Sequence, residues 1–234
     1  MKILICGDVV GRAGRRIVCE NLPKLRKSLD LDFVIVNGEN AAGGFGITPK
    51  ICNQFIKAGA DVITTGNHAW DQKDILPYFS QEKRLLRPQN YPDSRPGTGV
   101  GKYDAPNGKK VLVLHFMGNL FMAPLADPFD AIERELQNWR LRNSVDSIIV
   151  DFHGEATSEK MAMGHMLDGR VSAVLGTHSH VPTADAQILP KGTGYISDIG
   201  MCGDYDSVIG MKKEGAIARF RKTSGYPRLE AAQG

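Results

Sequence analysis

Short apolar runs, most of them closed by polar residues and glycine, constrain the fold of this chain more than any other feature. They are Ile3–Cys6, Phe33–Val36, Val62–Thr65, Val111–Phe116, Ser147–Phe152, Val171–Leu175 and Tyr195–Ser197. Each is too short for a helix, and most are rich in β-branched residues, so they read as strands buried on both faces. Helix-period stretches lie between them, at Arg15–Ser28, Pro49–Ala58, Pro128–Arg142 and Ser158–Leu167. Thr48 ahead of Pro49 and Ser158 among acidic neighbours suit helix starts. Strands alternating with helices predict a layered α/β protein whose sheet is mostly parallel. Past Gly192 the runs shorten to "GYISDIG", "SVIG" and "GAIARF", which predicts meandering β-structure added to a second sheet. The Pro-, Gly- and Asn-rich stretch Arg87–Gly108 predicts a long surface loop.

Charge narrows the function classes. The 29 basic and 26 acidic residues are well mixed and leave a net charge of only +3. Charge alone therefore supports neither a nucleic-acid groove nor a membrane patch. Clusters such as Lys24–Lys27 read as a solvated helix face. Cys6, Cys19, Cys52 and Cys202 are scattered without a CxxC spacing, which predicts reduced thiols in a cytoplasmic protein. The apolar stretch in "MKILICGDVVG" is too short for a signal peptide or a membrane span.

Residues just past the strand ends carry the chemistry. After the first strand comes "GDVVG" with Asp8, and after the second "NGENAAGG" with Glu39 and Asn40. The third gives "GNHAWD" with Asn67, His68 and Asp71; the fifth gives "DFHGEAT" with Asp151, His153 and Glu155; the sixth gives "GTHSH" with His178 and His180. Each signal has a bland reading of its own. Asp8 suits a turn cap, and Asn40 and Asn67 suit left-handed turn positions. His115 reads as a core histidine, His165 as a surface or packing residue, and Met161, Met163 and Met166 as core. Gly43, Gly44 and Gly46 form either a loop over a site or a plain connector, and match no phosphate-binding fingerprint. In open α/β sheets, however, sites form at the carboxyl ends of strands, so five such clusters should converge.

Two carboxylates, two amide oxygens and three histidines make a mixed oxygen and nitrogen set suited to two borderline transition ions. Iron or manganese comes first and zinc second, and the absence of thiolates argues against a structural zinc site. Two such ions outweigh the charges of Asp8 and Glu39, so the centre should attract an anion, and a phosphate ester is the natural candidate.

With these residues in hand, the chain resembles the calcineurin-like metallophosphoesterases. More closely it is similar to the YmdB-type bacterial family of 2′,3′-cyclic-nucleotide 2′-phosphodiesterases. The motifs are "GDVVGRAGR", "VNGENAAGG", "TTGNHAWD", "DFHGEATSEK", "GRVSAVLGTHSHVPTAD" and "YDSVIGM", which span nearly the whole chain. The resemblance implies a single domain over residues 1–234 with a four-layer α/β/β/α sandwich. It implies that Asp8, Glu39, Asn40 and His180 hold one metal, that Glu39, Asn67, His153 and His178 hold the other, and that His68 is a metal-free general acid. Val10 stands where the broad superfamily usually has a histidine, and Glu39 where it has a bridging aspartate. Relatives usually continue beyond "LEAAQG", which implies a truncated chain or a missing edge strand.

The expected reaction is hydrolysis by a hydroxide shared between the ions, with His68 protonating the leaving oxygen. Expulsion of the 2′-oxygen to leave a 3′-nucleotide rests on the resemblance. Two alternatives stay open: a broader dimetal phosphatase or phosphodiesterase, and a non-catalytic sensor of a phosphorylated ligand or RNA. A pocket built from Gly43–Gly46, Arg87–Gly108 and Asn119–Met122 is expected to select the substrate. No membrane or DNA partner is expected, and a homo-oligomer is compatible with the reading.

Overall fold

Strand faces decide how this chain is arranged. A computed structural model describes residues 1–222, Gly225 and 227–234. Its elements run β1 (Ile3–Cys6), β2 (Asp8–Val9), α1 (Gly11–Ser28), β3 (Phe33–Asn37), α2 (Pro49–Ala58), β4 (Val62–Thr64), α3 (Ile75–Gln81), β5 (Val100–Asp104) and β6 (Lys110–Met117). Then come α4 (Pro128–Leu136), β7 (Ser147–His153), α5 (Thr157–Met166), β8 (Ala173–Thr177), β9 (Gln187–Ile188), β10 (Gly194–Ile196), β11 (Met201–Cys202) and α6 (Lys213–Phe220). The sheets are ordered β1-β3-β4, β5-β6-β7-β8-β10-β9 and β11-β2. Most pairs are parallel; β5 runs antiparallel to β6, and β9 to β10.

Side chains alternate across a strand, and here both faces are apolar. In β3, Val34 and Val36 join a core with Val18 and Leu22 of α1 and Phe55 of α2. Phe33 and Ile35 enter a different cluster, shared with Val62 of β4, Val111 and Val113 of β6, and Ile149 of β7. In β6 and β7 the other face, with Leu112, Leu114, Ile148 and Val150, packs on Ile132 of α4 and Met163 of α5. The cluster that unites strands of two sheets has a polar end. Continuing by twos from its apolar members leads to Asn37, Thr64, His115, Asp151, His153 and Thr177, all buried. Strand register sets His115 beside Asp151 and His153 beside Thr177.

Several sequence expectations change. The segment Arg87–Gly108 is not all loop: β5 lies inside it, and Arg87 and Asn90 are buried. "GAIARF" is helical, closing α6, and pairs with no strand among the described residues. The region after Gly192 is thus only partly β-structure. Ile75–Gln81 forms a helix that the sequence pattern did not single out. The predicted helix Pro128–Arg142 ends at Leu136, and Thr157 opens α5 after Ala156, with no side-chain cap from Ser158. Of the three methionines of α5, Met163 is buried in the core and Met166 packs against it half-buried, whereas Met161 is exposed. Thr48 does cap α2, accepting from the Ile51 amide at 3.3 Å. The Lys24–Lys27 stretch is solvated except for Arg26, which pairs with Asp61 at 2.8 Å. No helix is long and apolar enough to cross a membrane among the described residues.

One buried ion pair joins the fold to the polar end. Lys160 of α5 meets Asp198 at 2.9 Å, and both are almost wholly buried. Asp198 also accepts from the Ser179 amide at 3.0 Å and the Gly200 amide at 2.8 Å. It therefore holds the "HSH" turn against the segment that pairs with Asp8. Removing one partner of such a pair leaves a buried charge uncompensated. Lys160→Met should therefore cost about 3–5 kcal/mol in urea unfolding, and adding Asp198→Asn should recover part of that loss. A cost below about 1 kcal/mol would show that the pair is not a structural anchor.

Candidate metal centre

Hydrogen-bond polarity around His153 shows what this site requires. His153 Nδ1 lies 2.9 Å from Thr177 Oγ1, and the Thr177 hydroxyl donates to Asp151 Oδ1 at 2.7 Å. The threonine oxygen must then accept from His153, so Nδ1 carries the proton and Nε2 of a neutral ring presents a lone pair. That lone pair faces Glu39 Oε2 at 2.8 Å, Asn67 Oδ1 at 3.1 Å and His178 Nδ1 at 3.1 Å. His178 Nε2 lies 3.2 Å from Glu155 Oε2, so when the proton sits there Nδ1 is an acceptor too. With both rings neutral and protonated on these outer nitrogens, four acceptor atoms converge with no donor among them. Ligand atoms about 2.0–2.2 Å from one ion lie ~3.0–3.4 Å apart, close to these separations. Glu39, His153 and His178 are close enough together to hold a metal ion.

The same conflict recurs around His180. Its Nδ1 donates to the Ile209 carbonyl at 2.8 Å, leaving Nε2 as a lone pair. Nε2 faces Asn40 Oδ1 at 3.2 Å and Asp8 Oδ1 at 3.9 Å. Asn40 has its amide orientation set, because its Nδ2 donates to the Gly44 carbonyl at 3.0 Å. Asp8 Oδ1 is buried with no hydrogen-bond partner among the described residues. A buried carboxylate oxygen without a donor is costly unless a cation meets it. The residues present therefore fit a pair of metal ions.

Protonation answers the same strain when no metal is bound. Burial opposes a charge on His153, but Glu39 beside it prevails and raises the imidazole above its usual range. Burial likewise opposes the Glu39 carboxylate, and His153 holds it below the usual range. Asp8 is pushed up to about 6, chiefly by burial. His178 is pushed down to about 3 by burial and by the neighbouring His153.

The backbone is strained where it delivers these ligands. His178 and His180 have φ of 101° and 63°, left-handed values that non-glycine residues rarely adopt. Asn40 and Asn67 are not left-handed, contrary to the turn reading of those residues. Gly66 is required by space: a Cβ there would overlap both His153 Nε2 and Glu39 Oε1.

His68 stands apart from the acceptor groups. Its amide donates to Glu39 Oε1 at 2.7 Å, and its Nδ1 meets Asp71 Oδ2 at 2.7 Å. The ring packs edge-on against Phe45 at 5.2 Å. All eight predicted residues thus gather at one end of the strands. His115 is buried beside Asp151, and His165 lies exposed on α5 and does not line the cleft. The open cleft over the centre, about 310 Å³, is lined by Glu39, Phe45, His68, His178, Ile209 and Met211 among others. Of the expected pocket segments only the Gly43–Gly46 loop contributes, through Phe45; no residue of Arg87–Gly108 or Asn119–Met122 lines it. The sequence pattern assigns no role to Asn37 or Thr177. Asn37 and Thr177 follow Ile35 and Leu175 by two positions, so strand periodicity would have placed both on the polar face. Ile209 lies in "YDSVIGM", a motif that carries the resemblance without assigning it a role.

The sequence model of the YmdB-like protein family matches residues 4–234. The chain is 48% identical to the 2′,3′-cyclic-nucleotide 2′-phosphodiesterase of Bacillus subtilis, over 100% of this chain and 87% of that protein. A crystal structure of a hypothetical protein from Thermus thermophilus matches with a TM-score of 0.91 at 46% identity, covering 100% of this chain and 89% of that one. A phosphatase from Mycoplasma pneumoniae matches with a TM-score of 0.91 at 37% identity, covering 100% and 83%. Family match, identity and fold all extend over essentially the full length, and the chain belongs to the YmdB-like family.

Proposed function

We propose that this protein is a dimetal phosphodiesterase that hydrolyses 2′,3′-cyclic nucleotides to 3′-nucleotides. The observation that carries this reading is the pair of acceptor groups facing one another without donors, at His153 and at His180. In this reading Asp8, Glu39, Asn40 and His180 hold one ion, and Glu39, Asn67, His153 and His178 hold the other, with Glu39 shared. Iron or manganese suits the mixed ligand set, with zinc next. Once bound, such a pair supplies Lewis-acid polarisation of the phosphoryl oxygens and an activated nucleophile at neutral pH. The activity for which the Bacillus relative is named supports the cyclic-nucleotide substrate and the 2′-oxygen as leaving group. The Mycoplasma phosphatase favours a second reading, a broader dimetal phosphatase or phosphodiesterase, which comparison of cyclic nucleotides with monoesters distinguishes.

The chain's own residues supply the rest. Asp71 accepts from His68 Nδ1, which leaves Nε2 as the atom that moves a proton at the cleft. Thr177 and Asp151 hold the His153 ring in one orientation, and the Ile209 carbonyl does so for His180. Three apolar clusters, one shared by strands of two sheets and two against helices, support a four-layer α/β/β/α domain over residues 1–234. Unpaired Cys6, Cys19, Cys52 and Cys202 support a reducing, cytoplasmic setting.

Metal content, the shared ligand and the proton donor can each be tested. Protein purified without chelator should carry close to two transition ions per chain, and stripping them should lower the melting temperature as well as abolish turnover. Full activity of metal-free protein would end this reading. Glu39→Gln should leave a folded protein with weakened metal retention and near-background activity; normal turnover would reassign the shared ligand. His68→Ala should keep both ions yet lose about 10²–10⁴-fold on 2′,3′-cyclic AMP. A p-nitrophenyl ester, whose leaving group departs without a proton, should suffer far less. Equal losses on both substrates would make His68 a positioning or phosphate-binding residue instead.

A further inference from the structure

Ile209 adopts φ 47°, a left-handed conformation that is an outlier for a β-branched residue. Strain of this kind persists where surrounding structure demands it, and it clusters at functional sites. The Ile209 carbonyl has a clear task, orienting His180 at 2.8 Å. That task needs only the backbone, and glycine or asparagine would perform it with less strain. The isoleucine side chain is no explanation from packing either, since it is 49% exposed and belongs to no core cluster. It lines the mouth of the cleft over the acceptor groups.

Phe45 lines the same cleft and is held there by its own set of contacts. It sits between Gly44 and Gly46, both left-handed at φ 103° and 74°. A Cβ on Gly46 would come within 3.1 Å of the His68 carbonyl, so the loop is pressed against the general-acid turn. Gln72 Nε2 donates to the Phe45 carbonyl at 2.7 Å, and the ring packs edge-on to His68 at 5.2 Å. The cleft is therefore two-toned. Its floor is made of acceptors that call for cations and hence for a phosphate, while Phe45, Ile209 and Met211 form an apolar wall. A volume of about 310 Å³ lies at the small end of ligand pockets, suited to a mononucleotide.

We propose that Phe45 and Ile209 form a nucleobase subsite, in which a planar base stacks on Phe45 and is flanked by Ile209 while its phosphate sits on the floor. Stacking on an aromatic ring tolerates any base, so the subsite selects nucleotides over plain phosphate esters without strong discrimination between bases. This rests on the cyclic-nucleotide reading above and adds the residues that recognise the substrate.

The test compares 2′,3′-cyclic AMP with methyl ribofuranoside 2′,3′-cyclic phosphate, which has the same ring and leaving oxygen but no base. Metal-replete protein should favour the nucleotide by about tenfold or more in kcat/KM, chiefly through KM. Phe45→Ala and Ile209→Asn, the latter tolerant of the left-handed backbone, should each shrink that ratio toward one. In parallel, calorimetry should show 3′-AMP binding more tightly than ribose 3-phosphate, with the gap narrowing in both variants. A wild-type ratio near one, or an unchanged ratio in both variants, would overturn the subsite. If neither cyclic substrate turns over, the cyclic-nucleotide reading fails. The calorimetric comparison then still decides the subsite: preference for 3′-AMP lost in the variants supports it, and equal binding of the two ligands removes it.

Discussion

Acceptors set against acceptors are the constraint around which this molecule is organised. His153 Nε2 faces a carboxylate, an amide oxygen and a second imidazole nitrogen, and Asp8 Oδ1 is buried without a donor. Such an arrangement is unfavourable in isolation, and a folded chain retains it only if the rest of the structure holds it in place. The surrounding structure does so through fixed hydrogen bonds. Thr177 and Asp151 fix the tautomer of His153, and the Ile209 carbonyl fixes that of His180. Outer partners of this kind set the orientation and basicity of metal-ligating histidines.

Backbone strain and buried charge serve the same end. The "HSH" turn carries two left-handed histidines, and Asp198 grips it through the Ser179 amide. Lys160 neutralises Asp198 from α5, so a charge buried beneath the turn ties a helix of one apolar cluster to the polar end of another. Gly176 permits this closeness, since a Cβ there would overlap the Ser197 carbonyl. Strain in the turn is thus offset by packing and by an ion pair directly beneath it.

Much of the site was legible because strand ends have few uses. Glycine next to Asp8, Glu39 and Asn67, and two residues before His178, marked the carboxyl ends of strands, and all of these residues converge. The supporting residues were less legible. Asn37 and Thr177 continue a period-2 pattern by one step, which looks like an ordinary strand ending until the neighbouring strands are known. The cleft wall was misplaced for a related reason: Arg87–Gly108 has a loop-like composition, yet pairing with β6 draws part of it into a sheet.

From the sequence alone, apolar runs, their spacing and the polar residues closing them determined a mixed α/β chain and the ligand candidates, because burial and side-chain alternation are local properties of a strand. Tertiary structure alone decided which nitrogen of each histidine is free, which carboxylate is unpartnered, and that Phe45 and Ile209 share one cleft. Those outcomes depend on partners far apart in the chain, such as Asn40 with His180 and Asp8 with His178, and no local pattern encodes them. Hydrogen-bond polarity is a property of pairs, and only folding chooses the pairs.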